Sequence, residues 1–317
     1  VTARNLTVNA ENEVESWAIT GAFNKSESAG IGLSTSINNI TTNTDAFIGD
    51  NDDNDEDGSQ LSLSDGKVTA DNAEVKARTN GRIESISVAA SMASSSDPNS
   101  GSSGISGKIK SAGDKIKSKF PKIFNKVNDT ADTSDSQTTN PKFGLGVSGS
   151  ASVNLTELNT RAYINNSVLD LSKGTDNALV LSAVNDTDIT AASGSAALVR
   201  ANNPSSKFSA GIAGSVALND LNNTGAAYIK DSTVSGAEDI ALNSLTGGEQ
   251  LAVAIGAAVN ASANQNKAAS IAGSVSISIS NNTVESYIEN STITGKDTLA
   301  GDDLRTLDVI AYDRTRL

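Results

Sequence analysis

The stretch Ile271-Ala-Gly-Ser-Val-Ser-Ile-Ser-Ile279, which leads to Tyr287-Ile288, decides the fold of this chain. It occurs four times, because the same pattern leads to Tyr228-Ile229, to Tyr163-Ile164 and, in the most diverged copy, to Phe47-Ile48. The aromatic residues lie 65 positions apart (163 to 228) and 59 positions apart (228 to 287). A repeat of this length indicates one structural unit that stacks on copies of itself.

Columns of matching residues become visible when the four copies are aligned on their aromatic residue. The residue directly after the aromatic is always isoleucine, the residues sixteen and ten positions before it are aliphatic, and glycine stands fourteen positions before it in three copies. These columns are Ile48, Ile164, Ile229 and Ile288; Ile31, Val147, Ile212 and Ile271; Ile37, Val153, Leu218 and Ile277; and Leu33, Gly149, Gly214 and Gly273.

Apolar and small polar residues alternate with period two through most of the chain, as in 251–259 and 271–279. This alternation predicts β-strands of about 5 to 10 residues, and the Asn-rich clusters 222–224 and 281–283 are typical of turns between them. A string of β-sandwiches is one candidate, but units of about 60 residues without disulfides or metals are small for independent cores. We favour a parallel β-helix with coils of about 20–25 residues, so that each repeat supplies two to three coils.

The predicted fold class is therefore all-β: a right-handed parallel β-helix, or β-solenoid, built from about four repeats of roughly 60 residues with one inserted helical segment. We expect the aligned Ile and Val columns to stack inside, and the Asn-rich turns to form amide ladders along the outside corners. Residues 1–96 would hold the first repeat and the start of the second, and residues 143–317 the rest of the second through the start of a fifth.

Residues 97–142 interrupt the alternation. Apolar residues spaced for an amphipathic helix are Ile105, Ile109, Ala112, Ile116, Phe120, Ile123, Phe124 and Val127. Pro121 divides this stripe into two predicted helices. Seven lysines against Asp114 make the segment basic: Lys108, Lys110, Lys115, Lys117, Lys119, Lys122 and Lys126. Such a helix either lies on an anionic membrane surface or packs its apolar stripe on the flank of the solenoid.

Composition excludes several classes of function. The 317 residues carry a net charge of −13, which argues against a general nucleic-acid-binding protein. The absence of cysteine and histidine excludes disulfides, Cys/His zinc sites and His-based acid–base catalysis. No apolar run is long enough for a transmembrane segment. The chain begins and ends within its pattern, and we interpret it as a fragment of a longer repetitive protein.

The acidic run 50–58 is the one candidate metal site. Asp53, Asp55, Asp57 and Gly58 match the first half of a calcium loop, because alternate carboxylates before a sharp glycine turn can surround a hard cation. Ser64 stands where such a loop has its bidentate glutamate. The alternative is a solvated acidic loop at one corner of the solenoid. Calcium is the only cofactor that the sequence suggests.

Two further patterns have less specific interpretations. Gly144-Leu-Gly-Val-Ser-Gly149 fits G-x-G-x-x-G but opens a predicted strand instead of a helix, which argues against a dinucleotide site. Tyr163, Tyr228 and Tyr287 either form an exposed row that binds sugars or fill the corners of the coils. We expect the second arrangement, and no residue is predicted to be catalytic.

The chain has a characteristic repeat pattern, in which a strand of small residues is followed by a tyrosine-containing strand. Examples are Ala210-Gly-Ile-Ala-Gly-Ser-Val-Ala-Leu218 and Tyr228-Ile-Lys-Asp-Ser-Thr-Val234. This pattern resembles the long repetitive passengers of bacterial surface proteins, above all the filamentous-haemagglutinin-like and leukotoxin-like adhesins exported by type V (two-partner) secretion. The resemblance extends over nearly the whole chain outside 97–142. It implies a right-handed parallel β-helix, an extracellular or cell-surface location, and a structural or adhesive role without enzymatic activity.

The competing interpretation is an enzyme, because polysaccharide lyases and hydrolases also use β-helices. Such enzymes place clustered carboxylates and basic groups in a side groove, whereas the acids here are scattered outside 50–57. As partners we expect further copies or adjacent repeats of the same protein, joined end to end, and a host or neighbouring cell surface that presents glycans.

Overall fold

The computed structural model describes residues 1–26, 29–50, 67–95, 143–172, 174, 177–201, 208–261, 268–296 and 304–317, and these form a parallel β-solenoid. The strands of the described residues are β1 (Asn5–Ser26), β2 (Ala29–Gly49), β3 (Lys67–Thr69), β4 (Asn72–Ser95), β5 (Phe143–Asn165), β6 (Val168–Asp170), β7 (Ala178–Ala201), β8 (Phe208–Lys230), β9 (Thr233–Ala237), β10 (Asp239–Gly247), β11 (Gln250–Asn260), β12 (Ala268–Glu289), β13 (Thr292–Gly295) and β14 (Thr306–Asp313).

Three parallel sheets build the solenoid. The front sheet has the order β1-β4-β7-β10-β14, with β11 also paired to β7. The back sheet has the order β2-β5-β8-β12, and the side sheet has the order β3-β6-β9-β13. Each coil therefore runs out along a front strand, returns along a back strand and crosses a short side strand before the next coil begins.

The residues of each column found in the sequence pair with one another in the back sheet, so the columns give the register of its strands. Ile31 pairs with Val147, Val147 with Ile212 and Ile212 with Ile271. The aromatic column pairs in the same way, from Phe47 to Tyr287. Identical spacing in the sequence thus becomes direct pairing between neighbouring coils, as stacked repeats require.

One repeat makes one coil, and the prediction of two to three coils per repeat was wrong. The predicted strand length was also wrong, because β5 and β8 each have 23 residues and β7 has 24. At about 3.3 Å per residue, such a strand extends for roughly 75 Å. The clusters 222–224 and 281–283 lie inside β8 and β12 and make no turn.

Asparagine pairing between coils explains why these clusters do not turn. Asn281 donates its amide to Asn222 Oδ1 over 3.1 Å, and Asn159 donates to Asn43 Oδ1 over 2.8 Å. The predicted amide ladders therefore exist, but they run along the sheet instead of along outside corners. A side chain that bonds to the same residue of the next coil has no need of the local backbone contacts that make asparagine a turn former.

The corners between the back and side sheets repeat from coil to coil. Asn166, Asp231 and Asn290 have φ of 48°, 48° and 46°, which is the left-handed region that Asn and Asp tolerate better than most residues. A serine follows each of them, and the backbone N–H of Ser232 donates to Ser291 Oγ over 3.1 Å. The corner is thus built from one left-handed residue and a serine ladder.

The half of each coil next to the side sheet contains the main apolar core. The isoleucine column that follows the aromatic residue points inward here, and Ile164 and Ile229 are fully buried. Leu169 of the side sheet and Leu181 of the front sheet pack in the same cluster. Ile288, in the last back strand, is partly buried against it. Three sheets enclose this half, so its section has room for large side chains.

The other half of each coil is a two-layer blade, in which the front and back sheets face each other directly. Small polar side chains fill the space between them. Ser36 lies 2.7 Å from Ser85, and Ser150 lies 2.7 Å from Ser193, each measured between Oγ atoms across the two sheets. These short bonds between buried hydroxyls hold the two layers together.

A buried amide ladder marks the inner edge of the blade. Asn38 donates to Asn154 Oδ1 and Asn154 donates to Asn219 Oδ1, each over 2.9 Å. Asn154 also donates to the carbonyl oxygen of Thr190 on the front sheet over 2.8 Å. The ladder therefore runs between coils and also joins the two sheets.

The expectation that all the aliphatic columns point inward was wrong in the blade. Ile212 and Ile271 are 41% and 64% exposed, and Ile37 and Ile277 are 59% and 42% exposed. Their neighbours Ser36 and Ser215 point inward and are buried. Because two sheets joined by serine and alanine side chains lie too close for a layer of isoleucine, the aliphatic residues occupy the outer faces.

Candidate interaction surfaces

The aromatic column forms a stacked ladder. Ring centroids lie 5.1 Å apart for Phe47 and Tyr163, 4.8 Å for Tyr163 and Tyr228, and 4.9 Å for Tyr228 and Tyr287, with interplanar angles of 7° or less. Tyr163 and Tyr228 are 0% and 1% exposed. Sugar-binding aromatic rows present free ring faces, whereas these faces are covered by the next ring. The ladder therefore stabilises the stack, as the expectation of a filled corner required.

Ion pairs also join coils to one another. Arg161 makes two bonds to the carboxylate of Asp45 in the previous coil, over 2.9 Å and 2.8 Å. Lys67 lies 3.0 Å from Asp170 in the next coil. The guanidinium of Arg82 pairs with Glu84 on the same strand and lies 5.7 Å from the centre of the Trp17 ring. Each of these three basic side chains is therefore paired with a carboxylate of the stack.

Asp170 and Asp239 are among the carboxylates whose pKa lies below the usual range. A hydrogen bond from the Ser172 hydroxyl, together with the Ser172 backbone N–H and Lys67, lowers the pKa of Asp170 to about 2. Hydrogen bonds from Arg305 and Thr306 lower the pKa of Asp239. A general acid needs a raised pKa at neutral pH, so both groups are suited to holding neighbouring coils and not to proton transfer.

The remaining predicted sites are placed as follows. Asp53, Asp55, Asp57 and the segment 97–142 lie outside the described residues. Gly144 to Gly149 lie in β5, so the G-x-G-x-x-G pattern opens no helix. Within the part of the chain that the structure describes, no group of three or more acidic side chains is arranged to hold a metal ion, and no helix is long and apolar enough to cross a membrane.

The surface that sequence reasoning missed is the outer face of the blade. Large aliphatic side chains are exposed there on both sheets, among them Ile31, Val216, Ile271, Val253 and Ile255. A signal was present in the sequence, because the positions between the aliphatic columns also align. One such column is Ser34, Ser150, Ser215 and Ser274, and its neighbour is Asn38, Asn154, Asn219 and Ser278. The buried column of Asn38, Asn154 and Asn219 and the buried serine column lie on the inner side of the strand, which leaves the aliphatic columns between them on the outer side.

The geometry of the described residues therefore offers a regular repeating surface. Comparison with known proteins returned no matching protein-family model, no matching curated protein and no matching solved structure.

Proposed function

We propose that this chain is a segment of an extracellular, repetitive structural or adhesive protein of bacterial type. The observation that carries the proposal is the unbroken register of the back sheet over four coils. Every coil places the corresponding residues of its back strand directly beside those of the next coil, about 4.8 Å away. A stack of this kind grows in length by adding coils, and it repeats each surface contact along its axis.

Adhesion follows from such repetition. Weak contacts with a cell surface or its glycans become strong when many identical positions engage at once, because each later contact forms at high effective concentration. The resemblance of the strand texture to filamentous-haemagglutinin-like and leukotoxin-like adhesins supports the same role. A chain without cysteine depends on no disulfide and tolerates either redox environment.

End-to-end assembly is the mode of association that we propose for the axis of the stack. Among the described residues β12 pairs only with β8, and its inward positions Ala272, Ser274 and Ser276 are exposed. An unpaired strand edge of this length is a template for another strand in the same register. Further coils of the same protein, or a further copy, would continue the back sheet there.

The test of the extracellular role uses antibodies raised against the purified chain. Intact cells of the source organism should be labelled without permeabilisation, and mild protease treatment of those cells should remove the label. Beads coated with the chain should then bind to host or neighbouring cells more than beads coated with the heat-unfolded chain. Labelling that appears only after permeabilisation would overturn the location, and turnover in a screen of acidic and neutral polysaccharides would favour the enzyme instead.

Calcium binding by Asp53, Asp55 and Asp57 stays a prediction. Without a glutamate at Ser64 the affinity should be in the range of about 10⁻⁴–10⁻³ M that is typical of extracellular modules. Millimolar calcium should therefore raise the melting temperature modestly, and the double variant Asp55→Ala/Asp57→Ala should abolish the shift. Calorimetric titration without heat at millimolar calcium, together with an unchanged melting temperature, would leave the run as a solvated loop.

A further inference from the structure

One side of the blade carries an apolar surface without a described partner. We define the blade face as the outward-pointing residues of the back sheet within 29–37, 145–153, 210–218 and 269–277. They are Ala29, Ile31, Leu33, Thr35 and Ile37; Leu145, Val147, Gly149, Ala151 and Val153; Ala210, Ile212, Gly214, Val216 and Leu218; and Ala269, Ile271, Gly273, Val275 and Ile277. None of these residues is charged, and Thr35 alone has a polar side chain.

The blade face is exposed and large. Ile31, Ile271 and Val275 are 55%, 64% and 51% exposed. With about 3.3 Å per residue over nine residues and about 4.8 Å between strands, the face measures roughly 30 Å by 19 Å, or about 570 Å². This is the upper end of the largest apolar patch found on ordinary monomers, and patches of this size commonly mark an interaction site.

The blade face has a relief that repeats along the stack. Gly149, Gly214 and Gly273 form a row between the aliphatic row that contains Ile212 and the row that contains Val216. A Cβ atom added at Gly214 or Gly273 would meet nothing within 4 Å. At Gly149 such a Cβ would lie 3.1 Å from Leu33 Cδ2, because Leu33 occupies this row in the first coil. The glycine row is therefore the floor of an open groove along Gly214 and Gly273, and the aliphatic row beside it, which contains Ile212 and Ile271, is a ridge.

We propose that the blade face binds the blade face of a second copy of this chain. A two-fold axis parallel to the stack places the isoleucine ridge of each copy over the glycine groove of the other, so that the contact occurs twice. Both surfaces repeat at the same strand spacing. A ridge that fits the groove at Gly214 therefore also fits it at Gly273, as in the dry interfaces between paired sheets of cross-β structures.

The available area suits this partner. Two blade faces would bury about 1,100 Å², which is close to the lower bound for stable protein interfaces of about 1,200–2,000 Å². Each additional coil would add about 140 Å² per copy, from the same strand spacing and width. The inference goes beyond the extracellular role and does not depend on it, because association is measured on the purified chain.

A lipid bilayer fits the blade face less well. The back sheet ends in β2 and β12, each with one neighbour among the described residues, so both present unpaired backbone groups beside the face. Unpaired N–H and C=O groups cost several kcal/mol each in hydrocarbon. The net charge of −13 also opposes approach to an anionic membrane surface.

The experiment measures the oligomeric state of the 317-residue chain by sedimentation equilibrium at micromolar concentration. The wild-type chain should form dimers. The variant Ile212→Lys/Val216→Lys should be monomeric at the same concentration, because each lysine would be buried without a partner in the interface. The matched control Thr41→Lys/Thr283→Lys adds the same charge at exposed outward positions of the back sheet, outside the blade face, and should remain dimeric.

A second variant distinguishes shape complementarity at the groove from unspecific hydrophobic association. Gly214→Val fills the groove with an apolar side chain whose Cβ meets no atom of its own chain within 4 Å, so its melting temperature should be unchanged or higher. If the groove receives a ridge, the dimer dissociation constant should rise about tenfold or more, as expected for an overpacked contact. If association were unspecific hydrophobic adhesion, added valine would strengthen it.

Three results would overturn the proposal. In the first, the wild-type chain stays monomeric and floats with phosphatidylcholine vesicles, which would mean that the blade face binds a lipid bilayer. The wild-type chain could stay monomeric and dimerise only when residues 97–142 are replaced by a short Gly-Ser linker. That result would mean that the segment 97–142 of the same chain covers the blade face. Unchanged dimers in the double-lysine variant would place the contact elsewhere, for example at the ends of the stack.

Discussion

Ile212 and Ile229 are the same residue type on the same strand, and their environments are opposite. Ile229 is fully buried in the apolar core, whereas Ile212 is 41% exposed on the outer face of the blade. They are seventeen positions apart, an odd number, so the alternation of a strand places them on opposite sides. At the scale of the residue, the side of the strand on which an isoleucine lies therefore decides how much it contributes to the free energy of unfolding.

This difference gives a matched pair of variants. Ile229→Asp should lower the free energy of unfolding by about 4 kcal/mol, because it buries a carboxylate without a partner. Ile212→Asp should lower it by about 1 kcal/mol or less, since its side chain faces solvent. Urea titration at low protein concentration measures both values. A larger loss in Ile212→Asp would show that β8 has the opposite facing, and equal losses would show that the facing does not decide the effect.

Asp170 makes stability depend on pH. Its pKa is lowered from 3.8 to about 2 in the folded chain, mainly by the Ser172 hydroxyl, which lies 2.6 Å away. Because the folded pKa lies below the unfolded one, its contribution is complete above about pH 4 and is lost as the pH falls towards about 2.

The variant Asp170→Asn should therefore be less stable than the wild type at neutral pH, and it should lose less stability on acidification. Urea midpoints at about pH 6 and about pH 2 measure the difference between the two proteins. Ser172→Ala should show an intermediate loss, since it removes the strongest of the bonds to the carboxylate. An identical acid loss in wild type and Asp170→Asn would contradict this role.

At the scale of the element, the corner that follows each back strand requires a special backbone conformation. Asp231 has φ of 48°, and its side chain is exposed. Its backbone N–H donates to the carbonyl oxygen of Glu289 in the next coil over 3.1 Å. The corner is thus set by the backbone and by its serine ladder, and the side chain of Asp231 matters through the conformation that it permits.

Substitutions at this corner should follow conformational preference. Asp231→Val should lower the free energy of unfolding by about 1–2 kcal/mol, because a branched side chain disfavours the left-handed region. Asp231→Gly should cost about 1 kcal/mol or less, since glycine adopts that region freely. Thr233→Val, two residues later in β9, is the control and should be nearly neutral. Similar losses for Val and Gly at Asp231 would point to a role for its carboxylate.

At the scale of the whole molecule, stability is a sum of contacts between neighbouring coils. Thr246 pairs with Asn185, so the chain occupies the same place in the stack one coil later. Removal of one complete coil therefore leaves the remaining coils able to pair with each other. A one-residue error in such a deletion reverses the facing of every later residue of the strand.

Two deletions test this property. Deletion of 185–245 puts Thr246 in the place of Asn185 and should give a folded chain, with a parallel β circular-dichroism spectrum and a lower melting temperature. Deletion of 185–244 puts Leu245 in the place of Asn185. The side chains of Leu251 and Val253 would then point inward, into the narrow interior of the blade. This variant should aggregate or fail to fold cooperatively. Equal behaviour of the two deletions would argue against strict stacking in register.

The sequence by itself determined the parallel β-solenoid and the register of its back sheet. Matching columns such as Ile31, Val147, Ile212 and Ile271 have to pair directly when repeats stack, and no distant contact is needed to predict it. The position of Ile229 in the core also followed, because an invariant isoleucine beside an aromatic residue favours burial. The side on which each column lies was a separate question.

Only the tertiary structure decided the width of the coil and the facing of the blade. Period-two alternation defines two faces of a strand but does not say which face is inside, and that choice depends on the distance between the two sheets. Asn222 and Asn281 would favour a turn in isolation, and they stay in strands because they bond across neighbouring coils. These outcomes depend on partners about 60 residues away in the sequence, which a local pattern cannot contain.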